Sequence, residues 1–138
     1  MRVKIFNSLP PEAMEIRKRV FVDEQGFVNE FDSADDNATH IVIYNEEKAV
    51  ATCRFYFDKA LASVLIGRVA VSAECRKSGI GAELIRCAEA EIKKGPHRRA
   101  VIHAQTRASG FYEKCGYTVF GEADLEEGCP HVWMEKNL

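Results

Sequence analysis

The stretch that decides the fold reads Val69-Ala70-Val71-Ser72-Ala73-Glu74-Cys75-Arg76-Lys77-Ser78-Gly79-Ile80-Gly81-Ala82-Glu83-Leu84. Its β-branched start predicts a strand, and the apolar spacing of its end predicts an amphipathic helix. Between them lies a loop with two cations and two glycines. Small residues let a ligand approach the backbone, and the free N–H groups of a helix N-terminus favour an anion. The segment therefore predicts a phosphate or pyrophosphate site, although a plain tight turn has the same pattern.

Two better-known phosphate motifs are excluded by the residues of this loop. No Gly-Lys-Ser/Thr closes it, so it is not a Walker A loop, and it lacks the first glycine of the dinucleotide fingerprint. Instead, Arg76-x-x-Gly79-x-Gly81 resembles the pyrophosphate loop of the GNAT superfamily of acyl-CoA N-acyltransferases, Gln/Arg-x-x-Gly-x-Gly/Ala. A second segment looks like that family's penultimate helix and the turn after it: Ala108-x-x-Phe111-Tyr112-Glu113-Lys114-Cys115-Gly116-Tyr117.

The likeness extends over nearly the whole chain to one subgroup, the small ElaA-like acetyltransferases. The segments similar to that subgroup are Arg17-x-x-Val20-Phe21-Val22-x-Glu24-Gln25, Asp32, His40, Ile66-Gly67-Arg68-Val69, Ala104-Gln105 and Gly128-x-Pro130-His131. One position departs from the wider family, because Gln105 stands where many GNAT enzymes carry Asn.

The resemblance implies the GNAT fold, an α+β architecture with a mixed, mostly antiparallel sheet flanked by helices. The chain pattern gives the order β-α-(α)-β-β-β-α-β-α-β-β in a single domain over residues 1–138. Strands are predicted over 3–6, 41–44, 49–57, 61–71, 100–104, 117–120 and 131–134. Helices are predicted over 12–24, from the glycine loop to Gly95-Pro96, and over 107–115, while 27–38 is either a loop or a short helix.

The resemblance also implies acetyl-CoA as a cosubstrate. In GNAT folds the strand before the glycine loop splays away from the strand after it, and pantetheine lies in the gap. A main-chain N–H there polarises the thioester carbonyl. The residues expected to bind the cosubstrate are Val69, Ala70, Val71, Arg76, Lys77, Ser78, Gly79, Ile80, Gly81, Ala82 and Phe111. The side chains of residues 69–71 are equally those of an ordinary core strand.

The resemblance makes Tyr112 the acid that protonates the leaving thiolate. A phenol has a pKa of about 10, so it carries its proton at neutral pH. Spacing alone favours a packing role for the pair Phe111-Tyr112.

A base is also needed, because an amine with a pKa near 10.4 arrives protonated. His40 and His131 are the catalytic candidates, and His103 is expected on the acceptor side, although each is also typical of a structural histidine.

An acidic stretch precedes the first long hairpin and contains Glu24, Glu30, Asp32, Asp35 and Asp36. In GNAT folds this region walls the acceptor pocket, so Glu24, Asp32 and Asp35 are predicted to contact a cationic amine. A solvated acidic loop is the alternative. No metal is expected, since Asp32, Asp35, Asp36 and His40 match no known ligand spacing.

Composition limits the possible partners. The 138 residues are 46% hydrophobic and 29% charged, with a net charge of -2, so neither nucleic acid nor a membrane surface is expected to bind. There is no apolar run of about 20 residues and no signal-peptide pattern. The five cysteines form no C-x-x-C pair, which is typical of free thiols in a reducing cytoplasm. A monomer and a homodimer both remain possible.

Together these features predict an acetyl-CoA-dependent N-acetyltransferase. It would move an acetyl group to a primary amine of a small molecule or peptide by direct attack on the thioester. The alternative is a non-catalytic protein of the same fold that binds acyl-CoA as a sensor or regulatory module, because the glycine loop serves either function.

Overall fold

The computed structural model describes all residues, 1–138, and contains one seven-stranded sheet. The strands are β1 (Arg2–Phe6), β2 (Thr39–Asn45), β3 (Lys48–Asp58), β4 (Ser63–Val71), β5 (Arg99–Gln105), β6 (Thr118–Glu126) and β7 (Cys129–Asn137). Their order in the sheet is β1-β2-β3-β4-β5-β7-β6, and every pair is antiparallel except β4 with β5. The predicted fold class is thereby confirmed.

Three α-helices join the strands: α1 (Pro11–Arg17), α2 (Ile80–Lys93) and α3 (Ser109–Lys114). The predicted helix over 12–24 is helical throughout, but its second half, Lys18–Glu24, is a π-helix. Short 3₁₀ turns cover Ser33–Asn37, Ala73–Cys75 and Thr106–Ala108. The first of these agrees with the short-helix alternative for residues 27–38.

The sheet is buried on both faces, as the apolar run of β2 illustrates. Ile41 and Ile43 belong to the main core, which also contains the apolar stripe of α2. Val42 and Tyr44 point to the opposite face, where they pack with Ala13 of α1. Because successive strand residues face opposite sides, a strand covered by helices on both sides has to be apolar at every position.

The pairing of β4 with β5 ends early. Only three residue pairs form, and the last joins Ile66 to Ile102. On its other side β4 carries a bulge, because Arg68 and Val69 both lie opposite Cys53 of β3. Arg68 has a φ of 51°, the left-handed conformation that a bulge can require. The two strands therefore separate beyond Ile66 and leave a gap in the middle of the sheet.

Three arginines and three carboxylates form a network beside this gap, here called the arginine–carboxylate network. Its members are Arg17, Glu30, Asp32, Asp35, Arg54 and Arg68. Arg17 is 1% exposed, and its guanidinium donates to Glu30 Oε2 at 2.8 Å and to Asp35 Oδ1 at 2.7 Å. Arg54 donates to Asp32 Oδ1 at 2.6 Å and to Asp35 Oδ1 at 2.8 Å. The network thus fastens the segment after the first helix to β3 and β4.

Replacing Arg17 with alanine is expected to lower the free energy of unfolding by about 3–5 kcal/mol, because Glu30 and Asp35 would keep buried charges without a partner. Arg19→Ala is the control. Arg19 forms an exposed pair with Glu15 at 3.2 Å, and exposed pairs contribute only about 0–1 kcal/mol. Urea unfolding of both variants makes the comparison, and equal losses would contradict a structural role for the network.

The network also predicts how stability depends on pH. Burial by itself would raise the pKa of Asp35, but the bonds from Arg17 and Arg54 outweigh burial and lower the pKa to about 2. A lowered carboxyl pKa contributes stability above its unfolded value, and that contribution is lost as the pH falls from about 4 to 2. Glu30 acts in the opposite direction, since burial raises its pKa. In Asp35→Asn, the free energy of unfolding should therefore fall less between about pH 4 and pH 2 than it does in the wild type. Urea unfolding at a series of pH values measures this.

Candidate active site

A cavity of about 680 Å³ occupies the gap where β4 and β5 separate. Its walls come from the β4 bulge, the end of β5, the π-helix with the loop after it, α3, and the β6–β7 hairpin. The main-chain groups of β4 that face β5 have no strand partner beyond Ile66. Such groups need another hydrogen-bonding partner, which an extended ligand in the gap can supply.

Tyr112 of α3 lines this cavity and is 7% exposed. Its ring makes edge-on contacts with Phe111 at 5.0 Å and with Tyr117 at 6.3 Å between centroids. Burial raises the pKa of Tyr112 well above the usual phenol value, so the hydroxyl keeps its proton at neutral pH. Packing and proton donation are therefore compatible roles for this residue.

The glycine loop ends at the N-terminus of α2 with the geometry of an anion site. Gly79 is the N-cap residue with a φ of 86°, and Lys77 also has a positive φ of 63°. No side chain caps the helix, and the first helical bond in this turn runs from the Glu83 N–H to the Gly79 carbonyl at 3.1 Å. The N–H groups of Ile80, Gly81 and Ala82 are thus free for a ligand. Ser78 lies in the same loop, and its hydroxyl donates to the Cys75 carbonyl.

Gly81 has a packing role. A Cβ atom at this position would lie 3.1 Å from Cζ of Phe111, closer than ordinary van der Waals contact. The missing side chain therefore leaves room for the Phe111 ring of α3 beside the first turn of α2. Phe111, predicted to bind the cosubstrate, does not line the cavity, and this contact accounts for its position.

Arg76 does not extend freely into the loop. Its Nε donates to the Val71 carbonyl at 3.0 Å, and its Nη2 donates to both carboxylate oxygens of Glu24 at 2.7 and 2.8 Å. Glu24, predicted to contact the amine, pairs with this arginine and does not line the cavity. The Val71 carbonyl accepts a hydrogen bond from Arg76. Val69 lines the cavity as expected, whereas Ala70 is buried and packs with Ile16 and Val20 on the other face.

Asp35 and His40 also lie outside the cavity, contrary to the roles predicted for them. Asp35 is 5% exposed and is held by the arginine–carboxylate network. His40 is 1% exposed, its Nε2 bonds the Asp35 carbonyl at 3.0 Å, and burial lowers its pKa. Both residues therefore have structural positions. Asp32 does line the cavity, but its carboxylate is paired with Arg54 and Arg68.

His131 of β7 lines the cavity and is 3% exposed. Its Nδ1 is 2.8 Å from the Cys129 carbonyl, and because a carbonyl can only accept, Nδ1 carries the hydrogen. In the neutral ring Nε2 then holds the lone pair, and it lies 3.5 Å from Oε2 of Glu126.

His103 of β5 lies beside His131, with 4.6 Å between ring centroids. It stacks on Trp133 at 4.2 Å, and its Nε2 is 2.6 Å from Oδ1 of Asp124. The hydrogen bond from His103 lowers the pKa of Asp124. The structure thus brings together the predicted residues Tyr112, His103 and His131 in one cavity.

No motif in the sequence points to the carboxylates of β6. Asp124 pairs directly with His131 across the β6–β7 ladder, which no pattern reveals until the strand register is known. Glu127, the residue after β6, accepts hydrogen bonds from the main-chain N–H groups of Val28 at 2.9 Å and Asn29 at 3.3 Å. These bonds hold the β6–β7 hairpin against the loop that follows the π-helix.

Gln105 is also occupied within the protein. Its side-chain amide donates to Gln25 at 2.7 Å, across the cavity from β5 to the end of the first helical segment. The side-chain amide at the position where many GNAT enzymes have Asn is therefore engaged in a bond within the protein.

Comparison with known proteins identifies the family. Residues 7–138 match the acetyltransferase (GNAT) domain family. The chain belongs to the GNAT acetyltransferase family. The family assignment makes it an acetyltransferase enzyme, and the resemblance drawn from its motifs is confirmed.

Solved structures agree with this assignment. A candidate N-acetyltransferase from Lactobacillus plantarum is 32% identical, with a TM-score of 0.87 over 100% of this chain and 99% of the other. Escherichia coli ElaA is 26% identical, with a TM-score of 0.85 over 99% of each chain. A Bacillus subtilis acetyltransferase in complex with CoA shares the fold, at 17% identity, with a TM-score of 0.73 over 99% of this chain and 98% of the other. No helix of the GNAT chain is long and apolar enough to cross a bilayer.

The free N–H groups of α2 lead to a prediction about CoA affinity. Ala82→Asp places a negative charge in the first turn of α2, which the helix itself tolerates but an anionic ligand does not. We expect the CoA dissociation constant to rise about tenfold or more, measured by calorimetry. Ala90→Asp is the control, because Ala90 is exposed near the other end of the same helix. Unchanged affinity in a folded Ala82→Asp protein would show that the pyrophosphate binds elsewhere.

Proposed function

We propose that this GNAT enzyme transfers the acetyl group of acetyl-CoA directly to a primary amine on a small cationic molecule or peptide. One observation carries the proposal: a proton donor, Tyr112, and a proton acceptor, His131, line the same cavity at the gap between β4 and β5. An acyl transfer needs a donor for the departing sulfur and an acceptor for the amine proton. A protein that only binds acyl-CoA needs neither.

The gap in the sheet would hold the thioester. Beyond Ile66, the unpaired main chain of β4 offers N–H groups along one side of the cavity. An N–H aimed at the thioester oxygen stabilises the negative charge that develops there during attack. The bulge at Arg68 and Val69 turns the main chain at the point where this contact is needed.

His131 and Glu126 would receive the amine. The lone pair of His131 Nε2 and the carboxylate of Glu126 face each other, and an ammonium group can donate to both. Transfer of one proton to His131 leaves a neutral amine. Its nitrogen then forms the C–N bond to the acetyl carbon while the C–S bond breaks. The Tyr112 proton goes to the sulfur, and the second proton that the nitrogen loses as the amide forms restores the Tyr112 hydroxyl. The products are an acetylated amine, CoA thiol and the proton held by His131.

The charges around the cavity favour a cationic acceptor. Asp124 and Glu126 form ion pairs only with histidines, so no lysine or arginine neutralises them. In contrast, Glu30 and Asp32 face the same cavity but are paired with arginines. The attraction for an amine therefore comes from β6 and not from the acidic stretch identified in the sequence. A volume of about 680 Å³ is in the range of small-molecule sites.

Replacing Tyr112 with phenylalanine should lower kcat by about 10²–10⁴, since the ring remains but the transferable proton is lost. Acetyl-CoA affinity should stay near the wild-type value. Tyr117→Phe is the matched control, because Tyr117 is buried beside Tyr112 but donates to Glu89 at 2.8 Å and lines no part of the cavity. The measurement is release of CoA thiol from acetyl-CoA with a panel of amines, polyamines, amino sugars and peptides.

Two outcomes would count against the proposal. A kcat within about threefold of wild type in Tyr112→Phe would reject the acid role. Tight acetyl-CoA binding without thiol release for any member of the amine panel would favour the non-catalytic acyl-CoA-binding alternative.

Replacing Glu126 with glutamine should raise the acceptor KM about tenfold and leave the acetyl-CoA KM near its original value, because the charge that attracts the ammonium is removed. Glu122→Gln is the control, as Glu122 is an exposed carboxylate on the same strand that does not line the cavity. Steady-state kinetics with the best amine of the panel measures both constants. If the two variants behave alike, β6 does not recognise the acceptor.

A further inference from the structure

We propose that His103, Glu126 and His131 form a binding site for a divalent transition metal ion, of which Zn²⁺ is the best match. Each residue offers one ligand atom, and the three atoms lie within 4.8 Å of one another. The site goes beyond acetyl transfer, and its metal affinity does not depend on the proposed function.

The first argument is the contact between His131 and Glu126. The Cys129 carbonyl fixes the hydrogen of the neutral ring on Nδ1, so Nε2 and the Glu126 carboxylate both present lone pairs across 3.5 Å. Two acceptors at this distance repel each other unless a positive charge lies between them. A proton, an ammonium group or a metal ion can provide that charge.

The distance between two of the ligand atoms fits a metal ion. In a tetrahedral zinc site with bonds of about 2.0–2.1 Å, neighbouring ligand atoms are about 3.4 Å apart. The 3.5 Å between His131 Nε2 and Glu126 Oε2 is close to this value. Two imidazoles and one carboxylate are ligands of Zn²⁺ and of similar divalent metals, whereas Mg²⁺ and Ca²⁺ prefer oxygen ligands.

Groups behind the ligands hold them in place. His131 bonds the Cys129 carbonyl, and the His103 ring is held by Asp124 at 2.6 Å and stacks on Trp133. Such contacts hold the rings of metal-binding histidines in a fixed orientation. The carboxylates of Asp124 and Glu126 have no lysine or arginine partner, so a dication would balance their charge.

The metal ion would face the cavity and leave at least one coordination position for solvent or substrate. It would also use the His131 lone pair that accepts the amine proton in the proposed function. The following expectation rests on the proposed function. The metal ion should inhibit acetyl transfer by competing with the amine and not with acetyl-CoA.

The binding test uses the full chain after removal of metals with a chelator. Calorimetric titration with Zn²⁺ should show one site with a dissociation constant in the micromolar range or tighter, and Co²⁺ should give the visible absorption of a tetrahedral site. His131→Asn, His103→Asn and Glu126→Gln should each weaken binding at least tenfold. Mg²⁺ should not compete.

Three control variants define the site. His97→Asn removes an imidazole and Glu122→Gln removes a carboxylate, both outside the cluster. These two variants should bind Zn²⁺ like wild type. Cys129→Ser should also retain affinity, because only the carbonyl of Cys129 contacts His131. Thermal unfolding of each metal-free variant checks folding. If His131→Asn does not fold, the half-exposed Glu126 supports the test through Glu126→Gln.

The metal proposal is overturned if wild type shows no saturable single-site binding of Zn²⁺. It is also overturned if Glu126→Gln and His103→Asn bind as tightly as wild type, or if Cys129→Ser removes the affinity. An enzyme that binds Zn²⁺ but acetylates no amine would contradict the proposed function alone. Turnover without any metal binding would contradict this inference alone.

Discussion

The early end of the β4–β5 pairing is the constraint on which the rest of the structure depends. After Ile66 and Ile102 the parallel ladder stops, and a bulge at Arg68 turns β4 away. A continuous sheet at this point would satisfy its own main chain and leave no cavity. Because the strands part, one side of β4 needs outside partners, and side chains from α3 and the β6–β7 hairpin reach the same space.

The arginine–carboxylate network holds one wall of the cavity in that gap. A segment with Glu30, Asp32 and Asp35 would repel itself if left alone, but Arg17, Arg54 and Arg68 hold it against the sheet. The segment thereby becomes a wall with balanced charge. The unbalanced carboxylates lie opposite, on β6, next to the histidines. The electrostatic polarity of the cavity thus arises from strand pairing at the end of the chain.

Local patterns predicted the order of the elements and the family resemblance predicted the sheet, whereas the positions of the carboxylates and histidines depend on contacts between distant residues. The strand, glycine loop and helix of residues 69–84 lie in one continuous segment. The spacing of its apolar residues and the residue types of its loop were therefore sufficient to predict these three elements. Tyr112 was selected through the family resemblance of residues 108–117, since its spacing alone favoured a packing role. The burial of Asp35 and His40 could not be predicted, because the arginines that pair with Asp35 lie 18 and 19 positions away and His40 bonds the Asp35 carbonyl. The place of Glu126 depends on the β6–β7 register, and an exposed acidic hairpin carries no signal of it.

The contact between Gly81 and Phe111 has a consequence for how sequences of this fold can vary. The Phe111 ring occupies the space that a side chain at position 81 would need, so the sizes of the residues at the two positions are coupled. A methyl group gained at position 81 requires the Phe111 ring to shift by a few tenths of an ångström, or a smaller side chain at position 111. Since α2 ends the glycine loop and α3 carries Tyr112, this size exchange links the spacing of the two helices to the distance between the anion site and the phenol.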